Sequence, residues 1–401
     1  MDTTLPPAAA LTSAEAKAQP VVEAQAQTQR LPKLAWVLMF SVFCIPIGVL
    51  WDISWHSTIG RDTFWTIAHI VIYMGGAIPG MVSGWIAFRT HFFGSPEEKA
   101  GSVSIWGLRA PIGAWLTIWG AIGMLTSAPF DDWWHNAYGL DVKILSPPHT
   151  LLAIGMYAVA FGVLLQMLSW QNRLTGRDSK TAGTFFLLTA GVMLNMLTIF
   201  LTEKSQPNHM RSSGFFYIVA WQYPMLLACA RRASNHRWAC TLVALTYMAI
   251  QLAMTWLLPL FPGEPKLAPI YREVTHMVPP AWPLLLVLPA LAIDWVYRRW
   301  NEKPFSLWLL AGALAAVYLA IILPVQWNFS AFLISPAAEN SFFSGNRQWT
   351  YYSTAGDWKY QFWDLDKHSI TLVVLIKCFA LAYLSTRMGL GVGGWMTKVR
   401  R

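Results

Sequence analysis

Charge is scarce in this sequence. Asp, Glu, Lys and Arg make up 12% of its 401 residues, about half the share carried by a soluble domain and too little to cover a water-soluble globule. Cysteine is scarcer still. Cys44, Cys229, Cys240 and Cys378 lie in or beside apolar runs without CxxC spacing, which argues against a disulfide framework or a thiolate metal centre and for small buried hydrophobes. The chain has no HExxH helix, no HxxxH or HxxHH histidine boxes and no Walker loop, so a pump driven by nucleotide is disfavoured. Residues 1–32, rich in Ala, Gln, Thr and Pro, contain no apolar h-region. They read as a disordered tail rather than a signal peptide or a span.

What the chain has instead is apolar length. Hydrophobic residues make up 55% of it, mean hydropathy is +0.40, and the runs reach the roughly 20 residues that a bilayer-crossing helix needs. Many of the 23 tryptophans sit at the ends of these runs, where amphipathic rings favour the membrane interface. The expected fold is all-α, a polytopic transmembrane bundle of about ten spans. These fall near 34–56, 65–88, 105–127, 148–170, 184–201, 213–230, 238–260, 278–297, 305–325 and 368–389.

Basic residues cluster at 89–99, 173–180, 231–237 and 298–303, and at both ends of the spanning region. Ten spans put all of these on one side, which the positive-inside rule makes cytoplasmic, with both termini inside. The same rule accounts for the net charge of +9 without a nucleic-acid partner. In a bacterium the chain would sit in the inner membrane with its other face in the periplasm. That face receives seven of the nine histidines, namely His56, His69, His135, His149, His209, His276 and His368. The organisation expected is a tail (1–32), tandem hairpins (33–170), five further helices (171–325), an aromatic-rich outer cap (326–367) and a last helix with a basic tail (368–401).

The most informative feature is a duplication. Residues 51–62 and 130–141 share the pattern D-x2-W-H-x3-G-x-D, with Asp52, Trp55, His56, Gly60 and Asp62 matching Asp131, Trp134, His135, Gly139 and Asp141. A further histidine follows each copy, His69 and His149, so the repeating unit is a helical hairpin and the first four spans form a tandem pair. Asp52 with His56, and Asp131 with His135, stand at i and i+4 and share a helix face. The later histidine opens the returning helix, so each hairpin can offer one carboxylate and two imidazoles to a common point. Such donors suit copper, zinc, iron or manganese rather than calcium or magnesium. Asp62 and Asp141 are candidates for fixing an imidazole tautomer from behind.

A single Asp-x3-His at a helix end is more often a charge pair or a cap. Two copies with matching downstream histidines reverse that balance, since ionisable groups beside a bilayer are costly. Asp364 with His368 is a weaker echo for which the charge pair stays ahead. Glu203 with His209, and Glu273 with His276, carry no motif. Lys377 in the last span reads as snorkelling or structurally paired, and Asp294 as an i+4 partner of Arg298.

Asp52, His56 and His69 form D-x3-H-x12-H. This resembles the metal motif in the C subunit of copper-dependent membrane monooxygenases, the particulate methane and ammonia monooxygenase family. Asp131, His135 and His149 are one residue longer, D-x3-H-x13-H. The resemblance covers about twenty residues per copy and implies that this Asp and these two His ligate copper. The expectation is therefore an outer-face metal site, copper ahead of iron and zinc, serving redox or monooxygenase-like chemistry on a lipid-soluble or small substrate. The chain would act alone or with other membrane subunits or a periplasmic copper or electron-transfer protein. The alternatives are a copper-handling or assembly protein for a respiratory enzyme, and a haem-binding electron-transfer subunit.

Overall fold

The structure, a computed structural model, describes residues 30–139, 146–199, 206–300, 306–354 and 370–400, together with the backbone of 358–359 and 362–363. Asp141, Glu203, Asp364 and His368 lie outside the described residues. The long helices are α1 (Lys33–Thr58), α2 (Ile67–Phe93), α4 (Ile112–Tyr138), α5 (Pro147–Arg173), α6 (Gly176–Ile199), α7 (Ser213–Ala233), α8 (Ala239–Leu257), α10 (Leu307–Leu333) and α11 (Leu372–Met396). Among the described residues these nine, α8 extended to Leu260, are long and apolar enough to cross a membrane. The chain is an all-α, multi-pass membrane bundle. Two shorter helices complete the set, α3 (Pro96–Ala100) and α9 (Val287–Arg299).

The third, fifth and eighth spans start at other residues than in the sequence reading, and the ninth and tenth run on to Leu333 and Met396, which puts 326–333 in α10 rather than in the expected cap. The third span starts at Ile112 rather than near 105, because β1 (Val103–Ile105) and β2 (Leu108–Ala110) form a small hairpin first. Its turn uses Trp106 at φ 51° and Gly107 at φ 83°, conformations a helix cannot hold. The helix therefore runs on to Tyr138 and includes Asp131 and His135. The fifth span begins earlier than expected, at Gly176.

The eighth span is only half helix. Pro279, Pro280 and Pro283 remove backbone donors and clash with a helical turn, so 278–286 is not helical and α9 starts at Val287. Thirteen residues of helix reach only about 20 Å, against a hydrocarbon core of about 30 Å. Irregular backbone is tolerated at that depth only where protein surrounds it. Val278, Trp282, Leu284 and Leu286 are buried, and side chains satisfy the backbone here. The Val278 N–H donates to Thr58 Oγ1 at 2.8 Å, Leu284 to the Tyr247 hydroxyl at 2.9 Å and Leu285 to Gln326 Oε1 at 3.3 Å.

Successive helices alternate in direction, so the connections after α1, α4, α6, α8 and α10 gather at one end. Cross-links confirm the opposite end, where Gln171 donates to the Ala233 carbonyl and Asn172 to the Met396 and Val399 carbonyls. Asp294 does not pair with Arg298 through its carboxylate. It is fully buried and takes hydrogen bonds from the start of α8 and an ion pair from Arg231, while Arg298 Nε donates to its main-chain carbonyl. Lys377 lies on the exposed face of α11.

The described part of the cap lies over the first hairpin. Tyr351 N–H donates to Ser57 O, Lys266 N–H to Ile59 O, and Tyr271 and Arg272 N–H to Tyr351 O. Trp349 and Tyr351 are buried there. A second aromatic group, Trp256, Trp282, Phe342 and Phe343, closes the neighbouring helix ends, with Trp282 and Phe343 ring centres 4.8 Å apart.

Candidate metal centre

Small residues bring the two helices of each hairpin together. A Cβ on Gly75 would stand 2.6 Å from Ile45 Cγ1, and one on Gly155 would stand 2.8 Å from both the Gly120 carbonyl and Met124 N. Both glycines come six residues after the later histidine of their copy, and glycine is what lets helix backbones approach this closely in a membrane. This H-x5-G spacing belongs to the repeat, and it seats each later histidine against its motif helix.

The turn between α1 and α2 then closes the site. Gly60 ends the helix at φ 80°, a conformation glycine adopts without steric cost. The Trp55 indole N–H donates to Arg61 O at 2.9 Å. Thr63 and Thr66 are tied reciprocally, Thr63 N–H to Thr66 Oγ1 and Thr66 N–H to Thr63 O. The chain is thereby folded back so that Asp62 stands over Asp52, His56 and His69.

One ligand atom from each of Asp52, His56, Asp62 and His69 lies within 4.8 Å of every other. His69 Nε2 is 3.1 Å from Asp52 Oδ1 and 3.3 Å from Asp62 Oδ2. His56 Nε2 is 3.8 Å from Asp52 Oδ2 and 3.5 Å from Asp62 Oδ2. Asp62, expected to buttress an imidazole, faces the same Nε2 edges as Asp52. The buttress is Thr63, whose carbonyl stands 2.9 Å from His69 Nδ1. A carbonyl only accepts, so Nδ1 carries a hydrogen and Nε2 is the nitrogen turned to the carboxylates, donating to them without a metal and free to offer its lone pair to one. Metal-binding histidines are held in this way.

Donor atoms about 2.0–2.2 Å from a shared tetrahedral ion stand roughly 3.3–3.6 Å apart. The four imidazole–carboxylate separations, 3.1 to 3.8 Å, bracket that spacing. Two carboxylate oxygens within 4.8 Å of one another repel by roughly 3.5 kcal/mol at an effective dielectric of 20, a cost a cation between them removes. Asp52 Oδ1 is buried and faces His69 Nε2. His69 is the enclosed imidazole, its side chain 18% exposed, and His56 the open one at 49%.

The second hairpin repeats the plan in part, since among the described residues only the first copy brings three or more donor atoms within 4.8 Å of one another. Gly139 ends α4 at φ 85°, its N–H donates to His135 O, and its carbonyl stands 3.0 Å from His135 Nδ1. His135 Nε2 is 3.6 Å from Asp131 Oδ2 and His149 Nε2 is 3.5 Å from Asp131 Oδ1. Asp131 thus stands between both imidazoles. Tyr73, on α2 one turn beyond His69, lies between the two copies, within electrostatic range of Asp52, Asp62 and Asp131. Sequence reasoning missed Tyr73 and Thr63, and only the i+4 spacing from His69 pointed to Tyr73.

The remaining sequence candidates stand apart. His209 is beside Asn208, and His276 pairs across an isolated bridge with Pro262, close to Arg347. The structure therefore holds an Asp/His group able to bind a metal ion, carried on a multi-pass membrane bundle. The chain matches no protein-family model, no curated protein and no solved structure.

Proposed function

We propose that this chain is a membrane metalloprotein in which Asp52, His56, Asp62 and His69 hold a transition metal, copper ahead of iron and zinc. Asp131, His135 and His149 form a second such site. The observation that carries the reading is the convergence of four donor atoms within 4.8 Å, with His69 Nδ1 spent on the Thr63 carbonyl. Mixed imidazole and carboxylate donors suit copper, zinc or iron, and among these divalent copper binds most tightly. The resemblance of D-x3-H-x12-H to the copper motif of membrane monooxygenases points the same way.

A bound copper ion would supply redox chemistry, and the protein supplies fixed ligand geometry and restricted access of water. The function that follows is oxidation of a small or lipid-soluble substrate at the membrane face bearing the cap, which the charge rule makes periplasmic. Four donors packed within 4.8 Å leave no room for a porphyrin plane, which disfavours the haem alternative here. Metal handling is supported by one observation, the 49% exposure of His56, which leaves a ligand open to exchange with an aqueous carrier.

Elemental analysis of the purified protein, set against a His56→Ala/His69→Ala variant, tests the site. At least one metal per chain is expected, falling by half or more in the variant. Metal content unchanged by the substitutions refutes the ligand assignment. A divalent copper EPR signal with oxygen uptake on apolar substrates favours the oxidoreductase. Free exchange with a chelator and no oxygen uptake favours metal handling.

A further inference from the structure

At the end of the bundle opposite the metal centre, α7, α9 and α11 finish together around an open pocket of about 420 Å³. It is lined by Arg231, Arg232, Ser234, Asn235, Tyr297 and Thr397. Its two cations are held differently. Arg231 is 11% exposed, with Nε 3.4 Å from Asp294 Oδ1 and its guanidinium 4.3 Å from the Tyr297 ring centre. Asp294 is itself locked, accepting from Cys240 N–H, Thr241 N–H and Thr241 Oγ1 at 3.2, 2.9 and 2.8 Å. The charge of Arg231 is thus matched and its position fixed.

Arg232 has no carboxylate partner among the described residues. It lies along α11 where Gly393 and Gly394 leave space. A Cβ on Gly393 would stand 2.9 Å from its Cβ, and one on Gly394 would stand 2.8 Å from its Nε. Its Nη1 is buried and without a hydrogen-bond partner among the described residues. Arginines in a last helical turn offset the helix dipole, but that role needs proximity alone and does not explain a buried, unused donor beside a cavity. A buried N–H left unpaired is costly, and a guanidinium is the group best shaped to grip a tetrahedral or planar oxyanion. Asn235 adds a neutral donor at the rim, with the Ser234 hydroxyl deeper in the pocket wall, while the Thr397 hydroxyl donates to the Gly394 carbonyl.

We propose that this pocket binds a phosphate group, with Arg232 as the principal contact and Arg231 as a fixed second cation. The site lies beside the membrane surface, where basic pockets between helices receive anionic lipid headgroups, and its volume exceeds what a bare phosphate fills. The shared chemistry is the phosphate, from a lipid headgroup or free in solution. It is separate from the metal centre and does not depend on it.

The test uses the full chain in detergent micelles, titrated with phosphatidylglycerol, with phosphatidylcholine as a control, and separately with inorganic phosphate at constant ionic strength. Bound phosphorus and thermal midpoint are followed. Saturable binding of about one phosphate per chain is expected, weakened about tenfold by Arg232→Gln, the loss of a charge-assisted contact. Asn235→Asp, an exposed change at the pocket mouth, weakens binding without touching the buried network and serves if Arg232→Gln does not fold. Saturation by phosphatidylglycerol alone identifies the headgroup, and saturation by inorganic phosphate identifies a free anion. Saturation by neither, or undiminished binding in a correctly folded variant, overturns the proposal.

Discussion

The two motif glycines offer the sharpest test, because sequence makes them equivalent and structure does not. Gly60 and Gly139 both have positive φ, 80° and 85°, and Gly139 has ψ −168°, so alanine at either meets a backbone penalty of roughly 1–3 kcal/mol. At Gly60 the new methyl also meets the Tyr351 ring, with Cζ at 2.8 Å, and Leu267 Cβ at 3.0 Å. At Gly139 it meets nothing within 4 Å among the described residues. Overpacking costs about 1–3 kcal/mol more. Gly60→Ala should therefore cost about 2–6 kcal/mol and Gly139→Ala about 1–3 kcal/mol.

Unfolding by SDS titration in mixed micelles gives both values. Gly60→Ala should also weaken metal binding at least tenfold, since Asp62 sits two residues beyond the displaced turn. Trimming the ring in Gly60→Ala/Tyr351→Ala should return much of the steric part, a coupling of about 1–3 kcal/mol. Equal costs at the two glycines, or no coupling to Tyr351, would refute the account of how the cap seats on the site.

Three further outcomes are expected. Thr58→Val removes the acceptor of the buried Val278 N–H and should cost about 1–3 kcal/mol, read by the same titration. Asp294→Ala strands Arg231 and two α8 donors and should cost about 3–5 kcal/mol. Burial, reinforced by the Arg347 charge, holds His276 below the ordinary imidazole value. The folded state therefore favours the neutral ring. Its contribution is intact above the unfolded value of about 6.5 and is lost as pH falls below that toward the folded value. Cap tryptophan fluorescence should change over that window in the wild type and not in His276→Gln; an identical pH profile in both would count against it.

Much of the fold was legible because bilayer helices announce themselves by apolar length, which needs no tertiary information. The hairpin repeat was legible for a related reason: several of its identities fix the backbone or share a helix face. Gly60 and Gly139 end their helices, and Asp52 with His56 shares a face. The eighth span misled because 278–297 has the composition of a helix, whereas its three prolines in five residues decide the backbone. The third span was misplaced because the Trp106–Gly107 turn lies within an apolar run. The role of Asp62 was not legible, since its direction depends on a turn held by Trp55 and on the Thr63–Thr66 tie, contacts that spacing does not encode. Thr63 acts through its carbonyl, which any residue possesses.

The broken eighth crossing also constrains how the chain is made. Its exposed amide groups are answered by Thr58 and Tyr247, which precede it, and by Gln326, which follows it by about forty residues. As the chain emerges in order, the stretch around Leu285 reaches the bilayer before its last acceptor has been synthesised. Lipid offers no substitute acceptor, so a stretch that met lipid ahead of α10 would carry an unpaired Leu285 N–H, a cost of a few kcal/mol that entry together with α10 removes.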